Sequence, residues 1–355
     1  MRKLALVLPA LIAIAALLVA CSRGSGDAAP DDNRVVPSAE DGILRIYFIP
    51  KNLGNPYFQA LSSGFYDAIS ELGEDKFDYV YTGPATAEVD SQTEYVREAV
   101  QNGADAVFIA ANSNDALNDV FDEARAAGVR IYIINQDVPG SEAHRDAAIM
   151  PVDFDTVGVA QIGLLAEQID HEGRFAILSA TADAPDQNTW IAAMRAELAD
   201  NPAYARMELA AIVYGDDQSE KSVAEAEALL SAYPDLKGVI APTAVGLPAV
   251  CKVVQSAGLA GKIKVTGLGL PSEMVEFVRS GVCESFQLWN PPYEGYIGAY
   301  MVWAEENEGF APTPGAKFSA GKLGEYTVLP NGQILTLETP MLYDASNIEG
   351  YAVLF

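Results

Sequence analysis

Histidine and cysteine are scarce in this chain, at two and three residues among 355. That scarcity removes several chemistries. There is no Cys-x-x-Cys and no Cys/His cluster, so a zinc site has no ligand set. His144 lies in the polar run Ser141-Glu142-Ala143-His144-Arg145, and His171 sits beside Asp170 and Glu172; neither has a Gly-x-Ser-x-Gly elbow to serve. No P-loop and no His-Glu-x-x-His occurs. Gly267-Leu268-Gly269 lacks the third glycine of a dinucleotide fingerprint and reads as turn chemistry. Neither a metal nor a cofactor is expected. Positive charge is short as well: 22 Lys and Arg face 49 Asp and Glu, a formal net charge of -27. Such a surface repels nucleic acid, whose binding requires phosphate neutralisation, and it favours a dispersed, monomeric protein. Beyond Ala20 no apolar run is long enough to cross a bilayer.

The one long apolar run comes first. Met1-Arg2-Lys3 gives a positive start, Leu4 to Ala20 is almost wholly apolar, and Leu18-Val19-Ala20-Cys21 closes the run with a small residue before a cysteine. This is the layout of an export signal, and the cysteine makes it similar to a bacterial lipobox. That likeness implies cleavage before Cys21 and a lipid on its thiol. Losing Arg2 and Lys3 takes the formal charge from -27 to -29. Ser22 to Asp41 is rich in Ser, Gly, Ala, Pro and Asp, with almost no large apolar side chains. It reads as a flexible tether. Cys251 and Cys283 then remain, and two buried, unpaired thiols are expected.

Half of the residues are hydrophobic, enough for a sizeable core, and the length suggests two domains. The folded part opens with the β-rich run Ile43 to Ile49. Asn55 suits a helix N-cap, Pro56 a first turn, and Phe58, Leu61, Phe65, Ile69 and Leu72 fall at helical spacing before Gly73. The strand-then-helix unit recurs. Strands are predicted at 77–81, 106–110 and 129–134, with helices over about 88–101 and 116–127. A second series places strands near 175–178, 209–213, 239–241 and 263–265. Uninterrupted apolar strands alternating with helices predict an α/β fold of two similar parallel-sheet lobes. In such sheets ligands sit beyond the carboxyl ends of the strands.

Those strand ends carry Lys51 and Asn52, Phe58, Asn135 and Asp137, Asp186 and Gln187, Pro242 and Ala244, and Trp289 and Asn290. Carboxylates and amides suit adjacent hydroxyls, and aromatic rings suit the C–H face of a sugar. Together they favour a small polyhydroxylated ligand.

In order along the chain, Pro50-Lys51-Asn52-Leu53-Gly54-Asn55-Pro56-Tyr57-Phe58, Tyr81-Thr82-Gly83-Pro84, Ile177-Leu178-Ser179-Ala180-Thr181-Ala182, Asp186-Gln187-Asn188-Thr189-Trp190, Val213-Tyr214-Gly215-Asp216-Asp217, Ile240-Ala241-Pro242-Thr243, Val265-Thr266-Gly267-Leu268-Gly269 and Leu288-Trp289-Asn290-Pro291 resemble the type I periplasmic solute-binding proteins of bacterial ABC importers. The likeness covers nearly everything from Ile43 to Phe355, and within the family it is nearest the rhamnose- and autoinducer-2-binding subgroups. The resemblance implies two lobes joined by a three-segment hinge, with crossings near 135–138, 287–290 and 318–321 and a ligand cleft between them. It implies a signal over 1–20, a tether over 21–42, an N-terminal lobe of 43–136 plus 289–318, and a C-terminal lobe of 137–288 plus 319–355. It also implies an ABC permease as partner and contact with the membrane through the lipid anchor at Cys21 alone. Lys51, Asp186, Gln187, Pro242 and Ala244 match the pocket of autoinducer-2 binders. Asn135 stands where those proteins carry an aspartate, and an amide is not a charge-assisted acceptor. A rhamnose-like deoxyhexose is therefore the expected ligand, with autoinducer-2 as the alternative. A sensory subunit feeding a receptor kinase would share the pocket. A glycosidase built on two of the many carboxylates finds no pair singled out, and the chain is expected not to be an enzyme.

Overall fold

The computed structural model describes residues 42–337 and 339–355. The export signal, Cys21 and the tether up to residue 41 lie outside the described residues. Among these no helix is long and apolar enough to cross a membrane.

The first part of the chain builds β1 (Leu44–Ile49), α1 (Pro56–Leu72), β2 (Phe77–Tyr81), α2 (Thr93–Gln101), β3 (Ala106–Ile109), α3 (Asn118–Ala126), β4 (Arg130–Ile134) and β5 (Ala147–Met150). The Asn55 side chain accepts the Tyr57 N–H as N-cap of α1, Pro56 opens the helix, and Gly73, at φ 116°, ends it by donating to Ile69 O. The next part builds α4 (Phe154–Gln168), β6 (Glu172–Ser179), α5 (Pro185–Asp200), β7 (Arg206–Tyr214), α6 (Ser219–Ala232), β8 (Leu236–Ala241), α7 (Gly246–Ser256), β9 (Lys264–Gly267), α8 (Pro271–Arg279) and β10 (Ser285–Leu288). The last part adds α9 (Pro291–Asn307), the hairpin β11 (Lys317–Ser319) and β12 (Glu325–Thr327), β13 (Gln333–Leu335), β14 (Met341–Asp344) and α10 (Ile348–Tyr351).

Two parallel sheets result. The first has the order β13-β5-β4-β3-β1-β2 and the second β7-β6-β8-β9. β10 pairs antiparallel with β14 and meets the β9 side of the second sheet through a bridge between Leu268 and Gln287. In both sheets the chain lays its second strand on one side of the first and its third on the other. The switch points fall between β1 and β3 and between β6 and β8.

Sheet membership moves the lobe boundaries from those expected at 136/137 and 318/319. β5 pairs with β4 through Tyr132 and Ala147, and β13 pairs with β5 through Ile334 and Ile149, so both belong to the first lobe. The chain therefore crosses between β5 and α4, between β10 and α9, and between β13 and β14. The sequence hides this because β5 is four residues long with two alanines and β13 only three, too short to show a period.

The core of the first lobe is a row of rings. Phe48, Phe65, Phe108 and Tyr132 follow one another at centroid separations of 5.7, 5.0 and 4.9 Å. α1 and α9 close over them with almost no gap: a Cβ on Gly64 would fall 1.8 Å from Pro292 O, and one on Gly295 would fall 2.3 Å from Leu61 O. Only residues without a side chain allow this approach. Cys251 and Cys283 are free and buried in the second lobe.

Candidate ligand-binding site between the lobes

A recess with about 400 Å³ of empty space lies at the facing switch points of the two sheets. The first lobe supplies Lys51, Asn55, Tyr57 and Phe58 after β1 and Asn135 after β4; the second supplies the start of α5, Asp217 after β7, the 242–244 loop after β8 and Leu268 after β9. Leu288 and Trp289 enter from the crossing that follows β10.

At the centre is an ion pair that spans the lobes. Lys51 Nζ donates to both oxygens of Asp186 at 2.7 Å, and each residue is 4% exposed. Asp186 Oδ1 also accepts the Gln187 N–H at 2.9 Å, and Asn135 Nδ2 approaches Oδ2 at 3.5 Å. Asn135 reaches this position with φ 73°, a left-handed conformation that asparagine tolerates better than most residues. Gln187 is turned inward by its own partners, its Oε1 accepting Ser179 Oγ at 2.5 Å and the Ala180 N–H at 2.7 Å. Behind Lys51, the fully buried Gln92 fastens the ends of β1 and β3. Its Nε2 donates to Pro50 O at 2.9 Å and Ala110 O at 2.8 Å, and its Oε1 accepts the Asn112 N–H at 2.9 Å. Asn112 Nδ2 in turn donates to Lys51 O at 2.9 Å.

Asp217 is the second carboxylate of the recess. It sits at φ 50°, and its Oδ1 accepts Thr243 Oγ1 at 2.6 Å. Burial pushes its carboxyl above the ordinary aspartate range. With Lys51 already bonded to Asp186, Asp217 gives the recess acceptor capacity but no free cation. That favours a neutral hydroxyl donor and opposes an anion.

The remaining wall is aromatic. Trp289 meets Tyr57 edge-on at 6.4 Å and Trp190 at 5.9 Å. A buried polar line holds it: Trp289 Nε1 donates to Tyr57 Oη, and Tyr57 Oη donates to Glu294 Oε1, each at 2.6 Å. Glu294, in the first turns of α9, has no exposed surface, and desolvation holds its carboxyl well above the usual range.

Of the residues expected from sequence, Lys51, Phe58, Asn135, Asp186, Gln187, Pro242, Ala244 and Trp289 line this recess. Asn52, Asp137 and Asn290 do not. Asp137 is turned away by Arg145, whose Nε and Nη2 donate to its two oxygens at 2.6 and 2.5 Å, and it lines a neighbouring cavity that meets the recess at Asp186. Asn52 faces a cavity at the mouth of the cleft. Asn290 is the residue before α9. Sequence reasoning missed Asn55, Tyr57, Trp190, Asp217, Thr243, Leu268 and Leu288. Asp217 was findable, since it lies three residues past the end of β7, much as Lys51 lies two past β1.

A two-lobed α/β protein with a partly enclosed polar recess at facing switch points is a binding protein of the hinged-cleft class. Residues 46–308 match the periplasmic binding protein domain family, and the chain belongs to that family. A solved ABC transporter solute-binding protein from Clostridium phytofermentas with bound L-rhamnose is 30% identical, with a TM-score of 0.82 over 88% of this chain and 99% of that one. A solved sugar ABC transporter protein from Actinomyces odontolyticus is 38% identical, with a TM-score of 0.68 over 87% of this chain and 97% of that one. The D-ribose/D-allose-binding protein of Pseudomonas aeruginosa is 29% identical over 233 residues, 63% of this chain and 70% of its own.

Proposed function

We propose that this protein is the extracytoplasmic solute-binding component of an ABC importer and captures a small neutral sugar, a rhamnose-like deoxyhexose, without chemical change. The observation that carries the reading is the recess itself. It offers Asp217 and the Lys51–Asp186 pair to hydroxyls, an aromatic wall to ring C–H groups, and Leu268 and Leu288 as an apolar surface for a methyl group. The L-rhamnose-bound relative supports that choice over the ribose/allose-binding one because its likeness spans 88% of the chain against 63%. Cys21 is read as the lipid anchor; Cys21→Ser would release the protein into the medium with unchanged ligand affinity.

One set of residues favours a second ligand. Lys51, Asp186, Gln187, Pro242 and Ala244 resemble the autoinducer-2 set. Against it, Asn135 turns its amide toward Asp186 at 3.5 Å and supplies no carboxylate. Calorimetry with L-rhamnose, D-ribose, D-allose and autoinducer-2 tests both readings, and failure of every small carbohydrate to bind would overturn the first. Asp186→Ala removes a charged acceptor and strands Lys51, so sugar affinity drops by about 2–4 kcal/mol, roughly 30- to 700-fold. Unchanged affinity would remove Asp186 from the binding machinery.

A further inference from the structure

Cys251 and Cys283 are the only cysteines beyond Cys21, and the fold brings them together. Cys251 sits in the middle of α7, and Cys283 lies in the turn between α8 and β10. The structure holds both as free thiols, and neither has exposed surface. α7 packs on β9 and against α8. Cys283 Sγ donates to Val265 O of β9 at 3.3 Å and approaches Ser285 O at 3.5 Å. That turns it inward, where it is in side-chain hydrogen-bond contact with Cys251. Both cysteines belong to segments that end at the recess. Thr243 Oγ1 of the recess accepts the Val245 N–H at 3.2 Å and the Gly246 N–H at 3.4 Å, at the start of α7. β10 runs on from Ser285 to Leu288, which lines the recess beside Trp289.

We propose that Cys251 and Cys283 close to an intramolecular disulfide as the exported chain folds, cross-linking α7 to the segment that leads through β10 into the recess. Extracytoplasmic compartments are oxidising, and disulfides form and persist there. The step is thiol–disulfide exchange. Two S–H bonds give way to one S–S bond, while an external protein or small-molecule disulfide takes up the two hydrogens and two electrons and leaves as two thiols. Exchange requires a thiolate that the oxidant can reach, so it precedes the burial of both sulfurs, and that burial then shields the finished bond. Little is given up, because S–H is a weak donor. What is gained is a closed loop containing β9 and α8, which restricts the unfolded chain. The cross-link rests on the extracytoplasmic reading above and does not depend on which sugar binds.

The test uses the full chain exported by a bacterial host and purified without reductant. It is unfolded in urea, treated with iodoacetamide and digested, and the peptides carrying Cys251 and Cys283 are weighed. The two peptides are expected joined to each other and unalkylated, and separated by reductant. In Cys251→Ser, Cys283 should be alkylated without reductant. Reductant should also lower the urea midpoint of the wild type and leave that of Cys251→Ser/Cys283→Ser unmoved. Alkylation of both thiols in the exported wild type overturns the cross-link, as does a disulfide from either cysteine to another molecule, and the extracytoplasmic reading then still stands. A chain that stays in the cytosol overturns that reading instead. Refolding the same chain from urea in oxidised and reduced glutathione then decides the cross-link by the same peptides: joined supports it, both alkylated overturns it.

Discussion

The Lys51–Asp186 pair joins the two lobes, and Lys51→Met in the ligand-free protein tests what that junction does. At 2.7 Å and an effective dielectric constant near 20, the attraction is about 6 kcal/mol, much of it offset by desolvation of both charges. Removing one partner of such a buried pair costs about 3–5 kcal/mol, because the other charge is left unmatched. In a single rigid core that cost would appear in full as lost stability. Here another route exists: the lobes part and water reaches Asp186. The variant should therefore shift from closed to open by roughly 140- to 4,000-fold. Its radius of gyration in small-angle scattering should rise, while its urea unfolding free energy changes by less than about 1 kcal/mol. Adding Asp186→Asn removes the stranded charge and should restore the compact form. An unchanged radius together with a loss of about 3–5 kcal/mol in urea would refute this reasoning and make the pair a static core element.

Glu294→Gln addresses the buried carboxyl behind the aromatic wall. Burial raises its pKa, so the folded chain keeps a proton that the unfolded chain loses above its ordinary value of 4.5. Its contribution to stability is therefore full below that pH and falls as pH rises toward the folded pKa, by about 1.4 kcal/mol for each unit crossed. The glutamine variant should lose this slope in urea titrations from pH 4 to 8; an unaltered slope would exclude Glu294 as its source. Gly64→Ala would place a methyl carbon 1.8 Å from Pro292 O, force α1 and α9 apart and destabilise the first lobe by about 3 kcal/mol, as measured by urea unfolding. A neutral effect would show that the two helices can separate freely.

Much of this was legible because the strands announce themselves. β1 followed by Asn55-Pro56 and the spaced apolar residues of α1 stand in the structure as the sequence spells them, cap included. Strand ends in a parallel sheet are where side chains meet a ligand, so Lys51, Asp186 and Pro242 were findable from position alone. The failures have a common physical cause. Asp137 follows a strand as Asn135 does, but its direction is set by Arg145 and by Gln333 Nε2, which donates to Asp137 Oδ2 at 2.7 Å from 196 residues away. Nothing local encodes that. The Trp289–Tyr57–Glu294 line likewise depends on partners more than 230 residues apart. α2 begins at Thr93 instead of near Glu88, since the segment before it forms turns that bring Gln92 to the ends of β1 and β3.

The late strands of the two lobes impose an order on folding. β13, at the edge of a sheet begun at Leu44, is made only when residue 335 emerges, and β14, which pairs with β10, only when residue 344 does. α9, whose backbone lies against α1, is completed at residue 307. Neither lobe is complete until these last strands and α9 have joined it. A chain lacking β13 and β14 leaves β5 and β10 without their partners, and such unpaired strands invite association with other chains. Completion of both lobes therefore waits on the segment 333–344.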